Sequence, residues 1–380
     1  FEVISNSIDE ARAGFGDHII VTRYQDQTIE VQDFGRGCPV DYNNTEKRYN
    51  WELVYCELYA GGKYDAEGDT YAYSLGLNGL GLCATQFASE FMDVEIFRDG
   101  FRYNLHFEHG NNVGGLKKEP TTQKKTGTRT RWKPDLDVFT DIRIPDEFFH
   151  DILRRQAIVN PNLLFTYRSQ SEDGSFSVRE FRYENGITDY VQEIVGDKAM
   201  TSIQHWQCEK KGRDRADKPE YKVRINVALT FSNQIKLTEF YHNSSFLEHG
   251  GSPERAVRQA FVSQIDSYLK QNSKYLKNES KITYADIEDC LVLVSSGFST
   301  QTSYENQTKK AITNKFIYEA MTEFLKHQIE VYFIENPDEA TRICEQILVN
   351  KRSRENAERT RLNLKKKLAG TIDLTYRNFI

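Results

Sequence analysis

Residues 74–81 read SLGLNGLG, three glycines in eight positions with Asn78 set between Leu77 and Leu80. Glycine adopts backbone conformations closed to other residues, so this stretch can be a turn, a loop laid on a core, or a cradle whose N–H groups converge on an anion. A helical pattern, LCATQFASEF (82–91), follows it, and the positive end of that helix would reinforce an anion site. Two familiar phosphate motifs do not apply. No Lys follows Gly81, as a GxxxxGK[ST] loop requires, and the stretch does not join a strand to a helix as a dinucleotide fingerprint does. The choice among the three readings depends on what the rest of the chain supplies.

The chain has 380 residues, 38% hydrophobic and 28% charged, enough for two or three globular domains with real cores. Its net charge of −6 gives no bulk reason to expect nucleic acid or an acidic membrane. Residues 351–367 (KRSRENAERTRLNLKKK) depart from that average, with eight Lys or Arg against two Glu. A basic helical tail on an acidic body suits several partners, DNA among them, and suits a plain solvated face as well. Six cysteines without a CxxC pair or regular spacing argue against zinc and against a disulfide framework, and for a reducing cytoplasm. No apolar run approaches the roughly 20 residues of a membrane span. The chain opens without Met inside a helical pattern, which reads as part of a longer protein.

Residues 1–13 have helical periodicity, and 17–24 and 28–33 alternate as strands. Residues 38–73 read as a long irregular connection of the functional or mobile kind. Beyond the glycine stretch come strands near 93–98, 102–108 and 127–133, a helix at 145–159, strands at 163–169 and 176–183, and a short helix after Asn185-Gly186. This is an α+β layer with helices on one face of a largely antiparallel sheet. A second unit starts near 200, with a hairpin expected from 220–231 and 234–242, a helix at 253–271, a buried strand at 289–298 and a helix at 311–335. One long helix is expected over 338–370, with Gly370 as its stop.

Three further segments carry chemistry. In EVISNSIDEA (2–11), Glu2 and Asn6 are four apart and share a helix face. A carboxylate there can position a water while the amide oxygen ligates a hard cation such as Mg²⁺; an ordinary polar face has the same spacing. In DFGRG (33–37) a strand ends in Asp33, whose carboxylate could accept a purine amino group where the glycines let the backbone pass close. AGGKYD (60–65) adds Lys63, a cation for phosphate charge.

Taken in order, EVISNSIDEA, DFGRG, AGGKYD, LGLNGLG and KTGTRTRWKP (125–134) resemble the ATP-binding fold shared by type IIA topoisomerases, a heat-shock chaperone, mismatch-repair and sensor-kinase ATPases, the GHKL superfamily. With FLEHGGSPERAVR (246–258) and YENQTKKAI (304–312), the chain is similar throughout to the ATPase subunits of bacterial type IIA topoisomerases, gyrase and topoisomerase IV. The resemblance implies a two-layer ATP-binding sandwich at 1–199, an α/β transducer domain at 200–337, and a linker helix at 338–380. It implies Glu2 as general base and Asn6 as Mg²⁺ ligand. Asp33 would take the adenine amino group, with Thr128 helping through a water, beside Glu10, Arg36, Gly37 and Pro39. Gly76, Leu77, Asn78, Gly79, Leu80 and Gly81 would hinge the ATP lid and meet the phosphates, with Lys63 nearby. Gln307 and Lys309 would reach the γ-phosphate. The implied partners are a second copy through the ATP-binding domain, the topoisomerase's A subunit in a heterotetramer, and double-stranded DNA, in the cytoplasm with no membrane.

There are departures from the family pattern. SLG replaces the usual Gly-Gly before the lid hinge, Ser5 stands where many members have Asp, and Ser252-Pro253 replaces Thr-His. Asn104 stands where many gyrases have an Arg that contacts aminocoumarins, with Arg102 nearby. A chaperone-type or repair-type ATP-dependent clamp would share the nucleotide motifs, though not the QTKKAI and EHGGS contexts. A non-catalytic dimerisation module would lack the base, and Glu2 is present.

Overall fold

The computed structural model describes residues 1–58, 80–305 and 310–377, with 367–377 as backbone only. Its chain divides into two units: one of Phe1–Tyr190 with Asn243–Ser245 and Phe298–Thr300, the other of Val191–His242, Phe246–Gly297 and Gln301–Ile380.

The first unit begins with α1 (Glu2–Arg12), β1 (His18–Arg23) and β2 (Ile29–Asp33), followed by the short pair β3 (Tyr42–Asn43) and β4 (Arg48–Tyr49) and by α2 (Asn50–Cys56). Then come α3 (Gly81–Phe87), β5 (Ser89–Arg98), β6 (Phe101–Glu108), β7 (Asn111–Asn112), β8 (Lys117–Pro120), β9 (Gly127–Pro134), α4 (Asp146–Val159), β10 (Leu164–Gln170) and β11 (Phe176–Phe181). Helix α5 (Ile187–Val195) leads into the second unit. Among the described residues the strands other than the separate β3–β4 pair form one sheet in the order β11-β10-β1-β2-β9-β5-β6-β7, with β8 also on β6. The pairings are antiparallel except β1 with β10.

Alternation decides which face is covered. Ile19, Val21, Val31, Met92, Val94, Leu105 and Phe165 are buried against Val3, Ile4 and Ile8 of α1, Trp51 and Tyr55 of α2, and Phe149 and Leu153 of α4. The alternate residues form the outer face, where Glu95 pairs with Arg102 at 3.0 Å and Arg129 at 2.6 Å. Two local expectations change. The connection after residue 38 contains α2, whose Trp51, Leu53 and Tyr55 are buried. The helix expected over 82–91 stops at Phe87, because Glu90-Phe91-Met92 continue an alternating run that pairs with β6 and β9.

The second unit contains β12 (Gln204–Gly212), β13 (Tyr221–Phe231), β14 (Leu237–His242), β15 (Ser245–Phe246), α6 (Ser252–Gln271), α7 (Tyr284–Glu288), β16 (Leu291–Ser299), α8 (Lys315–Glu335) and α9 (Pro337–Arg377). Its sheet runs β12-β13-β16-β14-β15, so the expected hairpin of β13 with β14 does not form. Strand β16 lies between them and pairs with β14 in parallel. Its LVLVSS run is buried on both faces, which only a central position provides.

Helix α9 runs through Gly370 rather than ending there; one glycine costs a helix interior only about 1 kcal/mol. Its first turns bury Ala340, Ile343, Cys344, Ile347 and Leu348. The fully buried Lys351 then reaches Glu279 at 3.2 Å and Glu355 at 3.3 Å. Arg352 reaches Glu279 at 2.9 Å, and Arg354 grips Asp286 at 2.7 and 3.1 Å. Three of the eight basic residues of 351–367 thus face carboxylates of their own unit. Residues 356–366 are all exposed.

Candidate functional site

The site is built on α1 and the ends of β2 and β9. Val3, Ile4 and Ile8 turn one side of α1 into the core, which leaves Glu2 and Asn6 exposed on the other. The structure therefore puts both on one open face, as their spacing predicts. Ser7 lies on the buried side, and its hydroxyl donates to Asp33 Oδ2 at 3.0 Å.

Asp33 ends β2 and is only 9% exposed. Its Oδ1 accepts the N–H of Gly35 at 3.0 Å and of Thr128 at 3.2 Å. Burial raises its pKa above the usual carboxylate range, opposed by the donors from Gly35, Ser7 and Thr128. Two carboxylate oxygens offer about four acceptor positions, of which these donors fill three. The remaining capacity is that of a buried acceptor suited to an amino group.

Strand β9 approaches β2 so closely that a Cβ at Gly127 would overlap the Asp33 carbonyl oxygen. Thr126 on one side donates to the Gly35 carbonyl at 2.6 Å, and Thr128 on the other accepts the Cys38 N–H at 2.9 Å. The Gly37 carbonyl accepts from Arg98 at 2.9 Å, and the half-buried Pro39 continues this wall. Behind it Tyr55 bonds to Cys38 and Thr130, and burial pushes the Cys38 thiol up to about 12.

Glu10 does its work through Arg36. Its carboxylate takes the guanidinium at 2.7 and 3.2 Å and the Arg36 main-chain N–H at 3.1 Å. The same guanidinium lies 4.2 Å from the centre of the Phe15 ring. Arg36 is thereby fixed at the rim as a flat cationic plate.

Gly81, the first residue of α3, touches Glu2: an added Cβ would collide with the Glu2 carboxylate and lie 2.5 Å from its Cβ. The last glycine of the opening stretch is thus required by the residue expected to be the base. Leu80 precedes it as the helix cap residue, with its carbonyl accepting from Ala84 at 2.9 Å. Lys63, Gly76, Leu77, Asn78, Gly79, Gln307 and Lys309 lie outside the described residues.

Sequence reasoning missed Ser7 and Gly127. Ser7 occupies a core position of the α1 pattern, and a hydroxyl there needs a buried partner. Gly127 opens strand β9, and a glycine in a strand marks close backbone approach. Among the described residues no three His, Cys, Asp or Glu side chains gather as a metal cage. The exposed Asn6 amide oxygen beside Glu2 could serve an ion such as Mg²⁺, which keeps several waters and needs few protein ligands.

Residues 186–363 match the family described as DNA gyrase B. The DNA gyrase B subunit of Thermotoga maritima is 30% identical over 368 residues, 97% of this chain and 57% of that protein. The DNA gyrase B subunit of Metamycoplasma arthritidis is 31% identical over 370 residues, with the same shares. The chain thus spans little more than half the length of these relatives. The topoisomerase IV ATP-binding domain of Francisella tularensis, solved with a small-molecule inhibitor, superposes with a TM-score of 0.70 at 27% identity, over 93% of this chain and 91% of that one. The 43K ATPase domain of Thermus thermophilus gyrase B, solved with an aminocoumarin, shares the fold at a TM-score of 0.70 and 22% identity, over 95% and 90%. No helix among the described residues is long and apolar enough to cross a membrane.

Proposed function

This chain belongs to the DNA gyrase B family, and from that premise we propose that it binds ATP at Asp33 and hydrolyses it beside Glu2. The observation that supports this most is Asp33 itself, a buried carboxylate held by donors from α1 and β9 with acceptor capacity left over. It would take the adenine amino group, with Ser7 and Thr128 holding its two oxygens and Thr128 aiding through a water. Gly37, Pro39 and the Arg36 plate, set by Glu10, would wall the base.

Glu2 would draw a proton from the attacking water, from the same face of α1 on which the Asn6 amide oxygen would hold Mg²⁺. Bound there, Mg²⁺ supplies charge neutralisation to the phosphate oxygens. Leu80 and Gly81, with Gly76, Leu77, Asn78, Gly79 and Lys63, would face the phosphates, and Gln307 and Lys309 would reach the γ-phosphate. Phosphoryl transfer to water needs positioning and charge more than covalent chemistry, and this set supplies both.

In the whole protein, residues 1–199 would be the ATP-binding domain, 200–337 a transducer and 338–380 a linker helix. Two copies would close on ATP through their ATP-binding domains and, joined to the A subunit of the enzyme, capture a DNA duplex in the cytoplasm. The exposed Arg359, Arg361, Lys365 and Lys366 would give at most backbone-directed DNA contact. Glu2→Gln tests the centre of this reading. It should keep ATP binding and cut turnover by about 10²–10⁴-fold, the usual loss with a general base. Near-normal turnover in the full-length variant would remove Glu2 from the mechanism.

A further inference from the structure

We infer that Phe15, just past the end of α1, is a positioning residue that sets the Arg36 plate for the adenine base. The inference rests on the proposal that ATP binds at Asp33. Arg36 follows Asp33 by three residues, in the turn whose Gly35 N–H bonds the Asp33 carboxylate. What holds its side chain is the way α1 stops.

Helix α1 is closed by a left-handed glycine. Gly14 has φ +89°, its N–H donates to the Ala11 carbonyl at 3.0 Å, and the Phe15 N–H reaches back to the Glu10 carbonyl at 3.0 Å. These two bonds are the Schellman ending, which commonly brings the side chain after the glycine into apolar contact with one in the last turn. Here those two positions are Phe15 and Glu10, and both turn onto Arg36. The Glu10 carboxylate takes one edge of the guanidinium, at 2.7 and 3.2 Å, and the Phe15 ring takes one face, its centre 4.2 Å away.

The two holds do different things. An edge-on carboxylate fixes where a guanidinium sits but leaves the plate able to roll about that edge. A ring against its face stops the roll. One helix ending thus supplies both halves of a clamp. Gly16, with φ +81°, ties the clamp to the base-site turn: a Cβ there would lie 2.9 Å from the Phe34 carbonyl, so the two backbones run in contact. Phe15 itself is 41% exposed and is not among the side chains of the buried core, so exchanging it tests the plate rather than the fold.

Leucine at 15 keeps an apolar side chain without a π-face, and tryptophan supplies a stronger one. In the full-length protein, calorimetry with a non-hydrolysable ATP analogue and with ADP, together with steady-state hydrolysis, compares wild type, Phe15→Leu, Phe15→Trp, Arg36→Ala and the Phe15→Leu/Arg36→Ala double variant. Phe15→Leu should weaken both nucleotides alike, by about 3- to 10-fold, because both carry the base. It should raise KM and leave kcat within about twofold, the mark of lost ground-state binding. Phe15→Trp should stay within about twofold of wild type, and in the Arg36→Ala background Phe15→Leu should cost nothing further. Phe15→Met takes the place of Phe15→Leu if that variant does not fold. A Phe15→Leu protein within twofold of wild type, a Phe15→Trp protein as weak as Phe15→Leu, or a loss that persists without Arg36 overturns the positioning role while Asp33→Asn still weakens both nucleotides. If Asp33→Asn leaves both within about twofold, the base-site reading fails and this inference falls with it.

Discussion

Replacing Asp33 by Asn should separate what this residue does for the fold from what it does for ATP. The Asp33 carboxylate is buried, and burial raises its pKa despite donors from Gly35, Ser7 and Thr128. The native state therefore binds a proton more tightly than the unfolded chain, so stability falls as pH rises from the ordinary carboxylate value of 3.8 through the raised one. At neutral pH the fold carries that cost. Asn removes it with little change of shape: its Oδ1 keeps the Gly35 and Thr128 N–H groups, and its amide donates to Ser7, which turns from donor to acceptor. The variant should melt no lower than wild type at neutral pH, and any advantage should shrink as pH is lowered from neutrality towards the ordinary carboxylate value of 3.8. ATP affinity should move the other way, because the adenine amino group would lose a carboxylate acceptor. A hydrogen bond to a charged group contributes about 1.5–3 kcal/mol, hence a loss of about 10- to 150-fold. Thermal melts across that pH range and calorimetric ATP titrations measure both. A clear drop in melting temperature at neutral pH, or ATP affinity within about twofold of wild type, would refute the reasoning.

Two other perturbations test the supports. Gly127→Ala should destabilise by about 1–3 kcal/mol in a denaturant titration, since its Cβ would overlap the Asp33 carbonyl and φ there is +146°; an unchanged midpoint would mean that β9 and β2 can part freely. Glu279, held at a pKa of about 2 by Arg352, the Leu276 N–H and Lys351, contributes stability above the ordinary glutamate range that disappears as pH falls towards 2. Glu279→Gln should cost about 1–3 kcal/mol, less than a fully buried pair because Arg352 is partly exposed, and should flatten the acid limb of the stability curve. A variant with the wild-type acid limb would show that the cluster on α9 contributes nothing.

What the chain declares about itself depends on whether the deciding interaction is local. Helical spacing fixes the common face of Glu2 and Asn6, and alternation fixes the buried side of β1, β2, β5 and β6. Asp33 is legible as a strand end before a glycine turn. Its supports are not, because Ser7 and Gly127 meet it only after α1 and β9 pack, 26 and 94 residues away in sequence. The expected β13–β14 hairpin fails for the same reason: adjacency in sequence favours it, but the doubly buried β16 competes for the centre of the sheet from 50 residues further on. The basic run at 351–367 is a surface feature only in part, since charge counting cannot see that Glu279 and Asp286 take Lys351, Arg352 and Arg354 out of it.

The clasp around Lys351 gives α9 a fulcrum. A helix rises 1.5 Å per residue, so the 41 residues of α9 extend about 60 Å, and roughly 39 Å of that lies beyond Lys351. Hydrophobic packing ends at the clasp, and residues 356–366 beyond it touch no core. A tilt of about 5° at the clasp would carry the far end of so long an arm through roughly 3 Å, whereas the packed side chains at the pivot would shift by only a fraction of that. Ion pairs suit a pivot of this kind: they hold distance firmly and tolerate small rotations, where interlocked aliphatic side chains would not. Small angular changes at the clasp would thus be converted, without unfolding a turn, into displacements about the size of an atom's diameter at the distal end.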